Sequence, residues 1–207
     1  MNEHTLPQWL DDLGSAAPAP GGGAAAALNA AAGAALVEMV ANLTVGKSAY
    51  AEHFAHVERV LAEATALRNR AVALIDADAA AFTALMATYK LPKATDPEKA
   101  ARTEEIQRAT VAAAEVPLQI AAVGAAVIDL AAQLPGRSNT NVLSDIAVAA
   151  SSAAAAVESA AINVEINLGG IKDKDVAGDL AKRLAEHEDA IGRGREIVAQ
   201  VRAELTR

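Results

Sequence analysis

Apolar residues return along this chain every three or four positions rather than every second one, which is the spacing of a buried helical stripe. Leu28, Leu36, Met39, Val40 and Leu43 mark one stripe, and Phe54, Val57, Leu61, Leu67, Leu74, Phe82 and Leu85 mark a longer one. Glycine and proline punctuate the pattern. A short opening helix is predicted over 5–13, with Thr5 as its cap and Pro7 in its first turn, and a loop follows over 14–22. Longer helices are predicted from the glycines to about residue 44 and over about 48–90. Another starts after the proline-bounded segment 91–97, with a bend expected at Pro117, where a backbone donor is lost. After the turn at 135–138 a helix is expected over about 141–168, and a last amphipathic one follows the Gly169-Gly170 stop. No fixed-period repeat is present. The reading is an all-α bundle of about six mostly long helices, one domain over 1–207.

Composition sharpens this. Apolar residues make up 53% of the chain but aromatic ones only 2%, and much of the apolar fraction is alanine. Such a core suits helices approaching closely through small side chains, whereas strands would want more Val, Ile, Thr and aromatic residues. The small-residue faces at 24–35 and 149–161 are wider than one core needs; they let helices of one chain approach each other, or those of a second chain, and an oligomer is expected on that ground. There is no cysteine, hence no disulfide and no thiolate metal site. A formal charge of −8 argues against a nucleic-acid partner, which requires a basic face. The first dozen residues are polar and acidic, unlike a signal peptide. The apolar stretches at 116–134 and 146–162 carry Asp129 and Glu158 inside them, so no membrane partner and a cytoplasmic location are expected.

Several short patterns bear on chemistry. The run 41–48 ends in Gly46-Lys47-Ser48 like a phosphate-binding loop, but it opens on Ala41 and follows no strand. Of the four histidines, His4, His53, His56 and His187, only His53 and His56 share a helix turn, and no third ligand accompanies them; no metal is expected. Gly21, Gly22 and Gly23 stand at a helix start, where unpaired amides form a cradle for an anion or carbonyl. They serve either close approach of a ligand, or a flexible entry and a seat for a crossing helix. Asn139, Asn141, Ser144 and Asp145 hold more hydrogen-bonding capacity than one helix start needs. Asn163 and Asn167 lie one turn apart on an apolar helix, where bonding to a neighbour is the simpler reading. Asp76 and Asp78 point to different faces, so at most one turns inward, and a buried carboxylate is a natural acid or base.

Taken in order, these stretches resemble the cyclodeaminase/cyclohydrolase family of one-carbon folate metabolism. The resemblance is carried by Pro20-Gly-Gly-Gly23, the run 39–44 with Gly46-Lys47, Asp78 with Phe82, and Leu91-Pro92-Lys93. It continues through Arg102, the run 116–118, Asn139 with Ser144-Asp145, and Asn163 with Asn167-Leu168. Two positions depart from the family pattern: Ala24 stands where serine is usual, and Ser138-Asn139-Thr140 where Gly-Asn-Pro is usual. The resemblance implies a homodimeric helical fold and a tetrahydrofolate derivative as substrate, with no metal or organic cofactor. It implies either hydrolysis of the 5,10-methenyl form to 10-formyltetrahydrofolate or cyclisation of the 5-formimino form with loss of ammonia. A third possibility is a folate-binding helical dimer without catalysis. No formiminotransferase segment accompanies these residues, which favours the cyclohydrolase. On the same footing Asp145 ranks first as acid/base or pterin anchor and Asp78 second. Gly21, Gly22 and Gly23 would cradle the ligand, Asn139, Ser144, Asn163 and Asn167 would hydrogen-bond to it, and Lys47, Lys93 and Arg102 would attract its glutamate tail.

Overall fold

The computed structural model describes residues 5–206; His4 lies outside them. Six α-helices follow one another: α1 (Leu6–Leu13), α2 (Gly22–Asn42), α3 (Phe54–Thr88), α4 (Asp96–Ala131), α5 (Leu143–Leu168) and α6 (Lys174–Leu205). No strand occurs among the described residues. The all-α expectation holds. Three of the six helices begin at a side-chain cap. Thr5 and Gln8 bond reciprocally at the start of α1, and Thr95 and Glu98 do the same for α4, each pair satisfying donors that a helix start leaves open. Asp173 accepts from the Asp175 and Val176 amides at the start of α6. The start of α2 is different: its flanking residue Gly21 offers no side chain to cap it.

Two boundaries differ from the periodicity. Residues 48–53 form a tight 3₁₀ turn before α3, in which Tyr50 leaves helical geometry and its hydroxyl accepts from the Thr140 amide at 3.1 Å. A second such turn, Thr140–Val142, precedes α5. Pro117 does not end α4, which runs on through it; the carbonyl it deprives of a partner is satisfied from another helix, as described below.

Helices α2, α5 and α6 form one layer and α3 and α4 the other, with α5 touching α2, α4 and α6. Small residues set the spacing. A Cβ added at Gly33 on α2 would meet the Ala149 carbonyl at 3.0 Å, and one at Gly124 on α4 would meet Val157 at 2.8 Å, so α5 is gripped closely from both sides. Alanines of α2 and α5 fill this seam, while Val37, Val40, Ile75, Ile120, Ile128 and Ile146 supply the bulk. Ion pairs tie the outer helices: Arg68 to Glu38 at 2.7 Å, and Arg183 to Glu115 through two bonds of 2.7 and 2.9 Å. Four segments, Gly22–Asn42, Ser48–Thr88, Asp96–Ala131 and Thr140–Leu168, are long and apolar enough to cross a membrane by length and composition. Within the fold much of that apolar surface turns toward neighbouring helices.

Candidate active site

A cleft of about 350 Å³ opens where the N-terminus of α2, the middle of α3 and α4, and the C-terminal turns of α5 converge. Gly21, Gly22, Gly23, Asp78, Phe82, Pro117, Asn163 and Asn167 line it. Among its lining residues there is no lysine, arginine or histidine.

Asp78 sits at its base. The α3 register that buries Leu74 and Ile75 turns Asp78 inward and leaves Asp76 exposed. The Asp78 carboxylate lies over the uncapped first turn of α2. Burial pushes its pKa above the usual carboxylate value, and the nearby Ala24 backbone N–H draws it partly back. This contact explains one glycine of the three. A Cβ on Gly23 would stand 2.5 Å from Asp78 Cγ and 2.7 Å from Oδ2, distances that real side chains do not show. Gly23 therefore has a structural reason within the chain itself. A Cβ on Gly21 would meet nothing within 4 Å, and one on Gly22 only the Asn163 amide at 3.5 Å. These two leave open backbone at a helix N-terminus, where amide donors face the cleft.

The opposite wall is held by a chain of side-chain bonds. Pro117 lacks the N–H that would have bonded the Ala113 carbonyl one turn back. The Asn167 amide takes its place, donating from Nδ2 to Ala113 O at 3.3 Å and to Asn163 O at 2.8 Å. Asn163 Nδ2 in turn donates to Ser159 O at 2.8 Å. With both Asn167 N–H groups engaged on carbonyls, its Oδ1 is the group left for a ligand. The cleft thus offers acceptors on two sides, Asp78 from α3 and the asparagine oxygen from α5. The role of Pro117 was not anticipated; a proline four residues after Ala113 in an unbroken helical pattern was the available signal.

The other residues singled out in the sequence lie elsewhere. Asp145 and Asn163 share one line of α5, but eighteen residues separate them, about 27 Å of helix. Asp145, Ser144, Asn139 and Lys47 therefore stand at the far end of α2 and α5, away from the glycines within this chain. The physical reason is the length of α5. Asn139 is buried there and bonded at both ends of its amide: its backbone N–H donates to Thr44 Oγ1 at 2.9 Å, Nδ2 to Leu43 O at 3.1 Å, and Oδ1 accepts from the Asn141 amide at 3.1 Å. It ties the C-terminus of α2 to the start of α5 and has no face toward a ligand. The adjacent Tyr50 hydroxyl is held below its usual pKa by its bonds to Thr140, with a smaller contribution from Lys47. Lys93 and Arg102 occupy a third place. Lys93 is exposed, while Arg102 donates to the Tyr89 carbonyl at 3.2 Å and lies 5.8 Å from that ring, in a surface hollow with Leu91 and Pro92. His56 bonds Arg59 at 2.9 Å and His53 approaches Glu52, and no group of three metal-ligating side chains occurs among the described residues.

Comparison with known proteins places this arrangement. Residues 5–186 match the formiminotransferase-cyclodeaminase family. The chain belongs to that family. It is 47% identical to the methenyltetrahydrofolate cyclohydrolase of Methylorubrum extorquens over 180 residues, covering 87% of this chain and 86% of that one. It is 34% identical to the formimidoyltransferase-cyclodeaminase of Rattus norvegicus over 183 residues, 88% of this chain but 33% of the rat protein, so it spans about a third of that relative. The crystal structure of the formiminotetrahydrofolate cyclodeaminase of Thermotoga maritima superposes with a TM-score of 0.88 at 28% identity, covering 100% of this chain and 99% of that one. The family match takes in both ends of α2 and α5, the cleft and the Lys47–Asp145 end alike.

Proposed function

We propose that this protein hydrolyses 5,10-methenyltetrahydrofolate to 10-formyltetrahydrofolate, and that Asp78 rather than Asp145 leads the chemistry. The observation that carries this reading is the half-buried Asp78 carboxylate in a cleft without a basic side chain, in a chain 47% identical to a cyclohydrolase. The methenyl carbon is bound to N5 and N10 and shares a positive charge with them, so a carboxylate beside it is complementary in charge. Water adds to that carbon and gives up a proton to Asp78. The resulting tetrahedral carbon carries a hydroxyl; the C–N5 bond then breaks as the hydroxyl proton leaves and N5 takes up a proton. One proton is released overall. A carboxylate with a raised pKa is closer to the range in which it both accepts and returns a proton. The Asn167 oxygen, fixed by the amide's bond to the Ala113 carbonyl that Pro117 leaves without a partner, orients a donor edge of the ligand, and the Gly21 and Gly22 amides take its carbonyl oxygen. No metal or organic cofactor enters this scheme.

Formimino cyclisation with ammonia release is the second reading, favoured by the likeness to the Thermotoga maritima cyclodeaminase. It passes through the same kind of tetrahedral carbon. We place the protein in the cytoplasm as a homodimer without nucleic-acid or membrane partner; the charge of −8 supports the absence of a nucleic-acid partner, and the exposed Val148, Ile162 and Ile166 on α5 support a second copy. The test is decay of the methenyl absorbance band with purified protein against a protein-free blank. Acceleration that Asp78→Asn abolishes supports the hydrolase, ammonia release from the formimino compound without methenyl hydrolysis supports the lyase, and silence in both assays rejects the enzyme reading.

A further inference from the structure

Helix α2 starts without a side-chain cap, and Gly21 and Gly22 give its first turn the loosest backbone available. Something else must fix the direction in which the chain enters it, because the amides offered to a ligand point where that entry sends them. The element that precedes this entry is α1. Its Leu6 and Leu10 are 54% and 49% exposed, whereas Trp9, the chain's one tryptophan, is 4% exposed and joins the main hydrophobic core, with Leu13 half-buried against it one turn on. Trp9 is the single buried residue of α1, and an indole carries more packing surface than any other side chain. After α1 the chain turns tightly. The Ser15 amide and hydroxyl both donate to the Asp12 carbonyl, at 3.1 and 2.7 Å, and the Ala17 amide donates to Ser15 Oγ at 3.0 Å. From there Pro18-Ala19-Pro20 runs to Gly21, and among the described residues it makes no hydrogen bond to another element. Pro18 and Ala19 nevertheless line the cleft that holds Asp78. This arm is held by its ends, and two proline rings, each fixing its own φ, make it stiff.

We propose that Trp9 is a positioning residue of the active site: docked in the core, it holds the proline arm along the cleft and through it sets where the Gly21 and Gly22 amides stand. Stiffness is what makes this work. A flexible arm would let a docked Trp9 coexist with a wandering helix start, whereas a stiff one passes the position of the dock on to the glycines. Pro18 and Ala19 also give the cleft an apolar wall with no charge to compete for the ligand, which suits a flat ring system whose carbonyl those amides take. Asp78 stands on α3 and keeps its place by the packing of that helix. Loosening the arm therefore displaces the amides and leaves the carboxylate, so binding weakens while the chemical step is kept. The effect on KM rests on the folate reading above; the docking of Trp9 and its hold on the start of α2 do not.

The decisive variant leaves Trp9 in place. Two glycines are inserted between Ala16 and Ala17, which loosens the arm without touching the anchor or a residue that lines the cleft. Trp9 fluorescence can be read alone, because the chain has no other tryptophan, and its buried-indole emission is expected to match the wild type, as is the melting temperature. The Ala25 amide bonds the Gly21 carbonyl at 3.0 Å in the first turn of α2. Its hydrogen is expected to exchange several-fold faster in the insertion variant, with the amides in the middle of α2 unchanged. KM for 5,10-methenyltetrahydrofolate is expected to rise roughly 10-fold, the equivalent of one hydrogen bond to the ligand, with kcat within about 2-fold of wild type. Trp9→Ala should shift KM in the same way, and Trp9→Phe, which keeps an aromatic ring in the core, should restore it. An insertion variant with wild-type KM or wild-type Ala25 exchange would overturn the proposal, because Trp9 would then serve stability alone. So would a KM that rises only together with a fall in melting temperature, or a water-exposed indole emission in the wild type. If the wild type does not turn over the methenyl compound, the folate reading fails, and the Ala25 exchange rate still decides whether Trp9 holds the start of α2.

Discussion

Replacing Gly23 by alanine separates the structural demand on the triple glycine from the chemical one. The new Cβ would lie 2.5 Å from Asp78 Cγ, with Oδ1 closer still, against the 3.4 Å of ordinary contact, so the carboxylate must retreat by at least about 0.9 Å. Two effects on stability oppose each other. Alanine gains at most about 1 kcal/mol over glycine in a helix, while moving a carboxylate off a helix N-terminus loses about 1 kcal/mol of favourable interaction. The net change is expected to stay within about 1 kcal/mol, or roughly 2–4 °C in melting temperature for a domain of this size. Turnover is far more sensitive, because a displacement near 1 Å of a reacting group lowers rate by roughly 100-fold. The assay is the methenyl absorbance decay beside a thermal melt. Gly21→Ala and Gly22→Ala are the controls: their Cβ atoms meet nothing closer than 3.5 Å, so both should melt like the wild type and keep kcat, with any loss confined to KM. Wild-type turnover in Gly23→Ala would refute the assignment of Asp78.

Asp78→Asn should lose about 100-fold or more in kcat and yet be no less stable than the wild type. Because burial raises the Asp78 pKa, the folded state binds its proton more tightly than the unfolded chain, so this group's contribution to stability falls as pH rises from the ordinary carboxylate value through its folded value. The melting temperature of Asp78→Asn relative to wild type should therefore rise across that window, while wild-type activity climbs through it; parallel pH profiles of the two proteins would count against this. Asn167→Ala removes the donor that satisfies Ala113 O and should cost about 1–3 kcal/mol, measured by urea unfolding, with a rise in KM. Pro117→Ala restores the helical bond to that carbonyl and should raise stability while freeing the Asn167 amide to turn, so KM rises without loss of fold. Exhaustive dialysis against a chelator should leave turnover unchanged; inactivation reversed by a metal would overturn the cofactor-free scheme.

The helices were legible because their signals are local. Periodicity along α2, α3 and α5, the Thr5 and Thr95 caps, and the breaks at Gly46, Pro92 and Gly136 act over one or two turns, where neighbouring side chains and backbone groups settle the outcome. The inward turn of one aspartate out of Asp76 and Asp78 follows from the same arithmetic, since Leu74 and Ile75 fix which face is buried. What the sequence could not say is how far apart along a rigid rod two short motifs come to rest. Asp145 and Asn163 read as parts of one set, but a helix of 26 residues holds them near its opposite ends. Asn139 looked equally open to a ligand until Thr44 and Leu43, nearly a hundred residues earlier, were seen to take its hydrogen bonds. The third glycine belongs with these. Only the crossing of α3 over the start of α2 decides that Gly23 makes room for Asp78, because that contact depends on the packing of two helices and not on the preference of either one.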